Sequence, residues 1–421
     1  MAEVVDALIT FPRVYALSQR ELYEKVIADI RDGNTDAVNR DLFQSYSENL
    51  RRGISGVLGQ DHDGDKYLDM RLQFDANAAR FAAYKAYHAT QQLERQLSDS
   101  DGVARSPEDF ERMAKAVLNT FNRYQAAEYN TAVSRARTAK QWTDFSDPDH
   151  AFLFPNLRWL PSRSATPREQ HMPFYNRVWA KTDPFWNSNQ PGNLWNCKCD
   201  WEETDDPVTG DNPEGIKPAK GLEGNPAETG QIFTDQCTYV QKAGKGGRAE
   251  VEDFFRPFAE HHRQFAELLK DPDYRDVDFD WNNAGLKATH VDHNFDKAKG
   301  IYEKTARDVG YKNGHSVILE SEMGKGIGEN YTEGLWNKSL FELASCESVE
   351  NNNNIVKGLK HCASKSDTRT AVLYFPKGDF VREDVERAIG RYYGLKGTLG
   401  DSFKDFEAIY VVSGGTVYQM R

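Results

Sequence analysis

Apolar residues follow three different patterns along the chain. Over residues 1–145, small and aromatic side chains recur at three- and four-residue spacing, the period of a helix face. The run Phe74–Leu97 (FDANAARFAAYKAYHATQQLERQL) keeps this spacing without a Pro or Gly. The pattern breaks at Asp101-Gly102 and restarts at Ser106-Pro107. Serine there suits an N-cap and proline suits the first helical position. Phe110, Met113, Val117, Leu118, Phe121 and Tyr124 then form one stripe. This predicts a helical bundle or long hairpin, an arm ending near residue 145.

The pattern collapses between Phe154 and Glu203. Prolines 155, 161, 167, 173, 184 and 191 forbid a long helix, because each removes a backbone donor and fixes φ. Trp159, Trp179, Trp186, Trp195 and Trp201 crowd the same stretch, which reads as an ordered, loop-rich knot held by aromatic packing. Residues 204–250 are rich in Gly, Pro, Asp and Asn and predict an extended segment that drapes over other surfaces or is partly disordered. A short helix over 251–269 and an acidic run over 271–281 follow.

From Ala284 strands dominate. Residues 316–321 read as a strand, and 335–344 as a second one folding on Asn337-Lys338 as a tight hairpin. Residues 352–365 predict a helix with Ile355, Val356, Leu359, Cys362 and Ala363 on one face. A strand over 370–376, a helix over 382–395 and a hairpin turning on Gly414-Gly415 complete the order β-β-α-β-α-β-β. The fold class expected is multidomain. It comprises a mostly α arm (1–145), a loop-rich α+β module (146–205), an acidic linker with a short helix (206–284), and a compact α+β domain (285–421).

Composition narrows the functional classes. At 421 residues the chain exceeds one ordinary core. No apolar run reaches the length of a membrane helix, and the N-terminus lacks the basic flank and cleavage site of a signal peptide. Five cysteines, odd and sparse, argue for a reducing compartment such as a cytoplasm rather than a disulfide framework. The net charge of −12 is concentrated in residues 200–284, with 9 basic and 20 acidic side chains; residues 285–421 carry 19 of each. A whole-chain basic footprint for nucleic acid is therefore absent, and any such contact is local.

Two constellations carry candidate chemistry. His171, Cys197 and Cys199 offer the imidazole and thiolate ligands of a structural zinc. Cys-x-Cys is tighter than the usual spacing of paired ligands, and a fourth ligand must come from Asp183, Asp200 or Cys237. The acidic turn Gln60–Lys66 has the look of a calcium loop, but Leu72 stands where the bidentate Glu is required, so it reads as a solvated turn. The adjacent His261 and His262 point to different helix faces and do not make a metal pair.

The second constellation is spread over the last domain: Thr289, His290, Asp292, His293, His315, Glu342, asparagines 351–354, Lys357, Lys360 and His361. A metal-free ribonuclease needs a base for the 2′-hydroxyl, an acid for the leaving oxygen and a cation for the phosphate. His293 or His361, Glu342, and Lys357 with Lys360 are the candidates. Lys357 and His361, at i and i+4, share a helix face with Asn354. No Lys stands two residues after Glu342, as a metal-dependent nuclease of the PD-(D/E)xK type requires.

Arg168-x-x-His171, Asp183-Pro184-Phe185-Trp186 and Pro191…Trp195-x-Cys197-Lys198-Cys199 together resemble the head-morphogenesis domain of the phage Mu F-like minor head proteins. The segments Ala126–Ala132 and Arg135–Trp142 look like the helical arm that precedes this motif. The resemblance covers about residues 70–205. Lys198 departs from the family's usual Arg, and no Gly follows His171. The last domain resembles the phage-associated barnase/EndoU/colicin/RelE-like nucleases, a group that includes tRNA-cleaving tips of contact-dependent toxins. That likeness rests on Gly334-Leu-Trp…Phe341-Glu342, the Asn-rich helix start, Lys360-His361-Cys-Ala-Ser and the element order.

These resemblances imply a virion protein of a tailed bacteriophage, made in the host cytoplasm. Its implied partners are portal and capsid proteins, with RNA, notably tRNA, as the implied target of the last domain. The alternatives are a purely structural minor capsid protein with a catalytically inactive last domain, and a free bacterial toxin or metallohydrolase.

Overall fold

The computed structural model describes residues 18–421 apart from 35, 60–65, 210–211, 214–215, 297–299, 322–331, 347–351 and 366. The acidic turn at 60–66 therefore lies almost wholly outside the described residues. The chain is mixed α/β, about 51% helical, with helices at the N-terminal side and a large sheet at the C-terminal side. It divides into two compact units, Met1–Phe255 and Arg256–Arg421.

In the first unit, four helices carry the arm: α1 (Gln19–Arg31), α2 (Arg40–Leu58), α3 (Leu68–Glu94) and α4 (Pro107–Phe145). Ser18 and Glu21 form a capping box on α1. Ser106 caps α4 through the amide of Asp109, with Pro107 in the first turn, as the sequence predicts. Alanines let the helices approach closely: Ala78, Ala82, Ala86 and Ala89 on α3 and Ala132, Ala136 and Ala139 on α4 are fully buried. Gly53 of α2 meets Tyr129 so closely that a Cβ would lie 2.7 Å from its ring. One ion pair is sealed inside, Lys85 with Glu128, and the Tyr239 hydroxyl also donates to Glu128. Burying a charge without its partner is costly, so the two must be kept together.

After α5 (Pro148–Leu153) the chain forms a three-stranded antiparallel sheet, ordered β2-β1-β3, from β1 (Asn156–Leu160), β2 (Val178–Ala180) and β3 (Asp200–Thr204). Trp159 pairs with Trp201 across β1 and β3. Phe174, Trp179, Phe185 and Trp186 close the knot, with Trp179 stacked on Phe185 at 4.0 Å. The aromatic packing read from the sequence is thus the core of this module.

The segment expected to be extended or disordered is more ordered than that where it is described. It contains α6 (Pro226–Thr229) and α7 (Thr238–Lys242), and buries Leu222, Ile232, Phe233 and Val240. Arg135 of α4 explains its course. The side chain is fully buried, and its guanidinium donates to the carbonyls of Leu222, Glu223, Gly224 and Gln231. The segment drapes because one cation collects its backbone acceptors.

Helix α8 (Gly244–Leu268) is longer than the predicted 251–269. The acidic run expected in a linker is instead strand β4 (Tyr274–Asp280), antiparallel to β5 (Gly285–His290). Alternating acids hid it: Phe279 faces inward while Asp276, Asp278 and Asp280 are less buried. Beyond these come α9 (Gly300–Lys312), β6 (Ser316–Leu319), β7 (Gly334–Trp336), β8 (Ser339–Ser345), α10 (Asn352–Ala363), β9 (Thr370–Phe375), α11 (Arg382–Gly394), α12 (Lys396–Leu399), β10 (Ala408–Ser413) and β11 (Thr416–Gln419). The eight strands form one sheet in the order β11-β10-β9-β8-β7-β6-β5-β4.

The expected order β-β-α-β-α-β-β omitted β4, β5 and α9. The pairs β5/β6, β8/β9 and β9/β10 are parallel and joined by helical crossovers, so this unit is a mixed α/β sheet rather than the expected α+β arrangement. The β7–β8 hairpin turns on Asn337 and Lys338, both at positive φ (49° and 70°), as a type I′ turn requires.

Side chains alternate across this sheet. Phe341, Leu343, Val372 and Val412 pack with Ala306 of α9. Ala344, Ala371, Leu373 and Val411 pack with α10 and α11 on the other face. This division decides which polar residues can meet.

Candidate functional site

His171, Cys197 and Cys199 are all buried inside the aromatic knot. A 3₁₀ turn, Glu169–Phe174, carries His171 in, and its ring meets Trp159 edge-on at 5.0 Å. The two cysteines follow Asn196, whose φ of 58° makes the tight turn into β3. His171 Nδ1 lies 3.3 Å from Cys197 Sγ and 3.5 Å from Cys199 Sγ.

The other ring nitrogen fixes the tautomer. Asn193 Nδ2 donates to the Ser188 carbonyl at 3.1 Å, so Asn193 Oδ1 accepts from His171 Nε2 at 2.8 Å. With its hydrogen on Nε2, the ring can turn an Nδ1 lone pair toward both sulfurs.

These residues fit a zinc ion. With Zn–S near 2.3 Å and Zn–N near 2.0–2.1 Å, tetrahedral geometry separates N and S by about 3.5 Å. The Asn193 bond is the outer-shell partner a ligating imidazole needs. Trp159 Nε1 and the Tyr175 hydroxyl are buried without a nitrogen or oxygen partner, and both lie beside the Cys199 sulfur, where they suit a thiolate. Cys197 is held below the ordinary thiol value, first by the Cys199 thiol and against the opposing effect of burial, while Cys199 is pushed up by Cys197 and by burial.

None of the three residues proposed as fourth ligand reaches the site. Among the described residues, no further His, Cys, Asp or Glu joins the cluster. Asp183 caps the turn at Phe185. Asp200 accepts from Gln141, from the Trp201 amide and from Arg163. Cys237 is packed against Gly221. The cluster provides three ligands, as a site open at its fourth position does.

In the second unit the candidate residues separate. Glu342 of β8 has the same parity as Ala344 and faces α10, where its Oε1 lies 3.0 Å from His361 Nε2 and 3.8 Å from Lys365 Nζ. The carboxylate is only 1% exposed, and its Oε2 has no hydrogen-bond partner. The Thr368 hydroxyl is likewise buried and unpartnered. Lys357 and Lys360 stand exposed on α10 and, among the described residues, take part in no ion pair.

His293, proposed as an alternative base, is not part of this group. It bonds Glu303 of α9 at 3.0 Å and the Glu320 carbonyl at 2.8 Å. Since α9 covers the opposite face of the sheet from α10, His293 and Glu342 do not share a site. His315 is also elsewhere, accepting from Asn337 at 2.9 Å. Glu342, His361 and Lys365 can nonetheless do acid–base chemistry: a buried carboxylate holds the imidazole by one nitrogen and leaves the other toward solvent, with cations alongside.

Lys365, Asn193, Glu303 and Glu333 are the participants that sequence reasoning missed. Lys365 stands four residues after His361, so extending the helical register would have found it. The other three carry no local pattern. No protein-family model, curated protein or solved structure matches the chain.

Proposed function

We propose that the chain is a minor head protein of a tailed bacteriophage, acting in head morphogenesis near the portal. Its second unit is a ribonuclease-like effector that cleaves RNA, tRNA being the leading target, without a metal. It is made in the host cytoplasm and carried in the virion, with portal and capsid proteins as partners. No described helix is long and apolar enough to cross a membrane.

The reading is supported by one observation above others. The arm and the loop module that together resemble the head-morphogenesis domain are fastened residue to residue. Thr138 of α4 donates to the Pro191 carbonyl at 2.9 Å, and the Asn196 amide donates to Thr131 at 2.8 Å. The quoted motifs thus lie in one packed body, which supports reading them together. The effector reading is supported by Glu342, His361 and Lys365, with Lys357 and Lys360 exposed on the helix that carries His361.

The balanced charge of residues 285–421 favours a second reading, a structural protein whose last unit binds but does not cut. Quantitative mass spectrometry of purified virions tests the assembly role. A few copies per particle are expected; absence from the virion would overturn it.

A further inference from the structure

We propose that His293, Glu303 and Glu333 form a divalent-cation site at the carboxyl edge of the second unit's sheet, separate from the Glu342–His361 group. The strands β5, β6, β8, β9 and β10 all run the same way, because β7 lies antiparallel between β6 and β8. Their carboxyl ends define one edge, and open α/β sheets bind ligands beyond that edge. His293 lies three residues past the end of β5, Glu303 is in the first turn of α9, and Glu333 immediately precedes β7. The Glu320 amide, just past β6, donates to the Glu333 carbonyl at 3.0 Å and so pins Glu333 to this edge.

The donor geometry is that of a coordination site. One nitrogen and one carboxylate oxygen from each glutamate all lie within 4.8 Å of one another, with His293 and Glu303 buried and Glu333 half-buried. His293 Nδ1 faces the Glu320 carbonyl at 2.8 Å, which can only accept, so Nδ1 carries the hydrogen. Nε2, the other ring nitrogen, lies 3.0 Å from Glu303 Oε2 and, once deprotonated, offers its lone pair to a cation there. The contact is an ion pair when the imidazole is protonated, and a cation that displaces that proton finds both atoms already at ligand spacing. Adjacent ligands on an ion with bonds of about 2.1 Å are separated by about 3.0 Å, which matches. Glu333 contributes a second carboxylate to the same point, so the set is one imidazole and two carboxylates, a combination suited to Mn²⁺ or Zn²⁺ rather than to Mg²⁺ or Ca²⁺. Bound there, the ion ties the β5–α9 connection to the start of β7.

The test is Mn²⁺ binding to the full-length protein, followed by electron paramagnetic resonance and calorimetry. Mn²⁺ is a hard ion that disfavours the sulfur-rich cluster of the first unit. One equivalent should bind the wild type. Glu303→Gln and Glu333→Gln should each weaken binding by at least about tenfold, while Cys199→Ser should bind like wild type. Circular dichroism checks each variant's fold, and if Glu303→Gln fails to fold, the half-buried Glu333→Gln decides. No Mn²⁺ binding by the wild type, or wild-type affinity in folded Glu333→Gln, overturns the proposal.

Discussion

The Nε2–H of His171 donates to Oδ1 of Asn193 across 2.8 Å, and that one bond decides which ring nitrogen faces Cys197 and Cys199. Reverse the tautomer, and Nδ1–H would point at the sulfurs, removing the lone pair that a metal there would require. The position of a neutral amide therefore governs the chemistry of a buried His–Cys–Cys cluster.

Asn193→Ala should leave His171 Nε2 buried and unsatisfied, at a cost of about 1–3 kcal/mol in denaturant unfolding. Elemental analysis of the wild type should find one zinc per chain, and Asn193→Ala should lower zinc affinity by about tenfold or more. Absence of stoichiometric zinc in the wild type would remove the ion and leave a thiol–imidazole hydrogen bond in its place.

Arg135 makes a separate prediction. Its guanidinium is the shared donor for four carbonyls of the draped segment, and burial lowers its proton affinity to about 10. Arg135→Met keeps much of the bulk but strands those acceptors. The expected loss is on the order of 3 kcal/mol, and limited proteolysis should cut first within residues 216–243. Unchanged protease resistance there would show that apolar packing alone holds the segment.

His315 gives the second unit a pH dependence. Burial lowers its value to about 4, and Asn337 Nδ2 donates to its Nδ1, a bond that only the neutral ring accepts. An unfolded histidine titrates near 6.5. Between about pH 6.5 and 4 the unfolded chain therefore binds a proton that the native chain does not, and stability falls as the pH falls through that window. Burial also lowers His261, which acts in the same direction. Urea unfolding followed from pH 7 to 4 should show this slope in the wild type and a shallower one in His315→Gln. Equal slopes would assign the dependence to other groups.

Much of the fold is written in local pattern, and the exceptions have physical reasons. Ser106-Pro107 announces α4, and Asn337-Lys338 announces a tight hairpin, because caps and tight turns are decided by neighbouring residues. The stripe Ile355, Val356, Leu359, Cys362, Ala363 likewise faces the core as its spacing requires. Strand β4 was hidden because an edge strand carrying alternating acids reads as a solvated loop until its partner β5 is known. The draped segment depends on Arg135, about 90 residues away in sequence, and no local pattern reports such a bond. Site residues follow the same division. Glu342 and His361, candidates from separate elements, lie 3.0 Å apart, whereas strand alternation and the helix positions place the candidate His293 across the sheet. Only the face on which each helix packs could have separated them.

The most direct test of the effector role is incubation of the full-length protein with tRNA in excess chelator, read by gel. The geometry predicts cleavage without added metal. Glu342→Gln and His361→Ala should each reduce the rate by about 10²-fold or more, and His293→Ala should not act through this site. Intact tRNA with the folded wild-type protein would contradict the account and leave the second unit as a binding module.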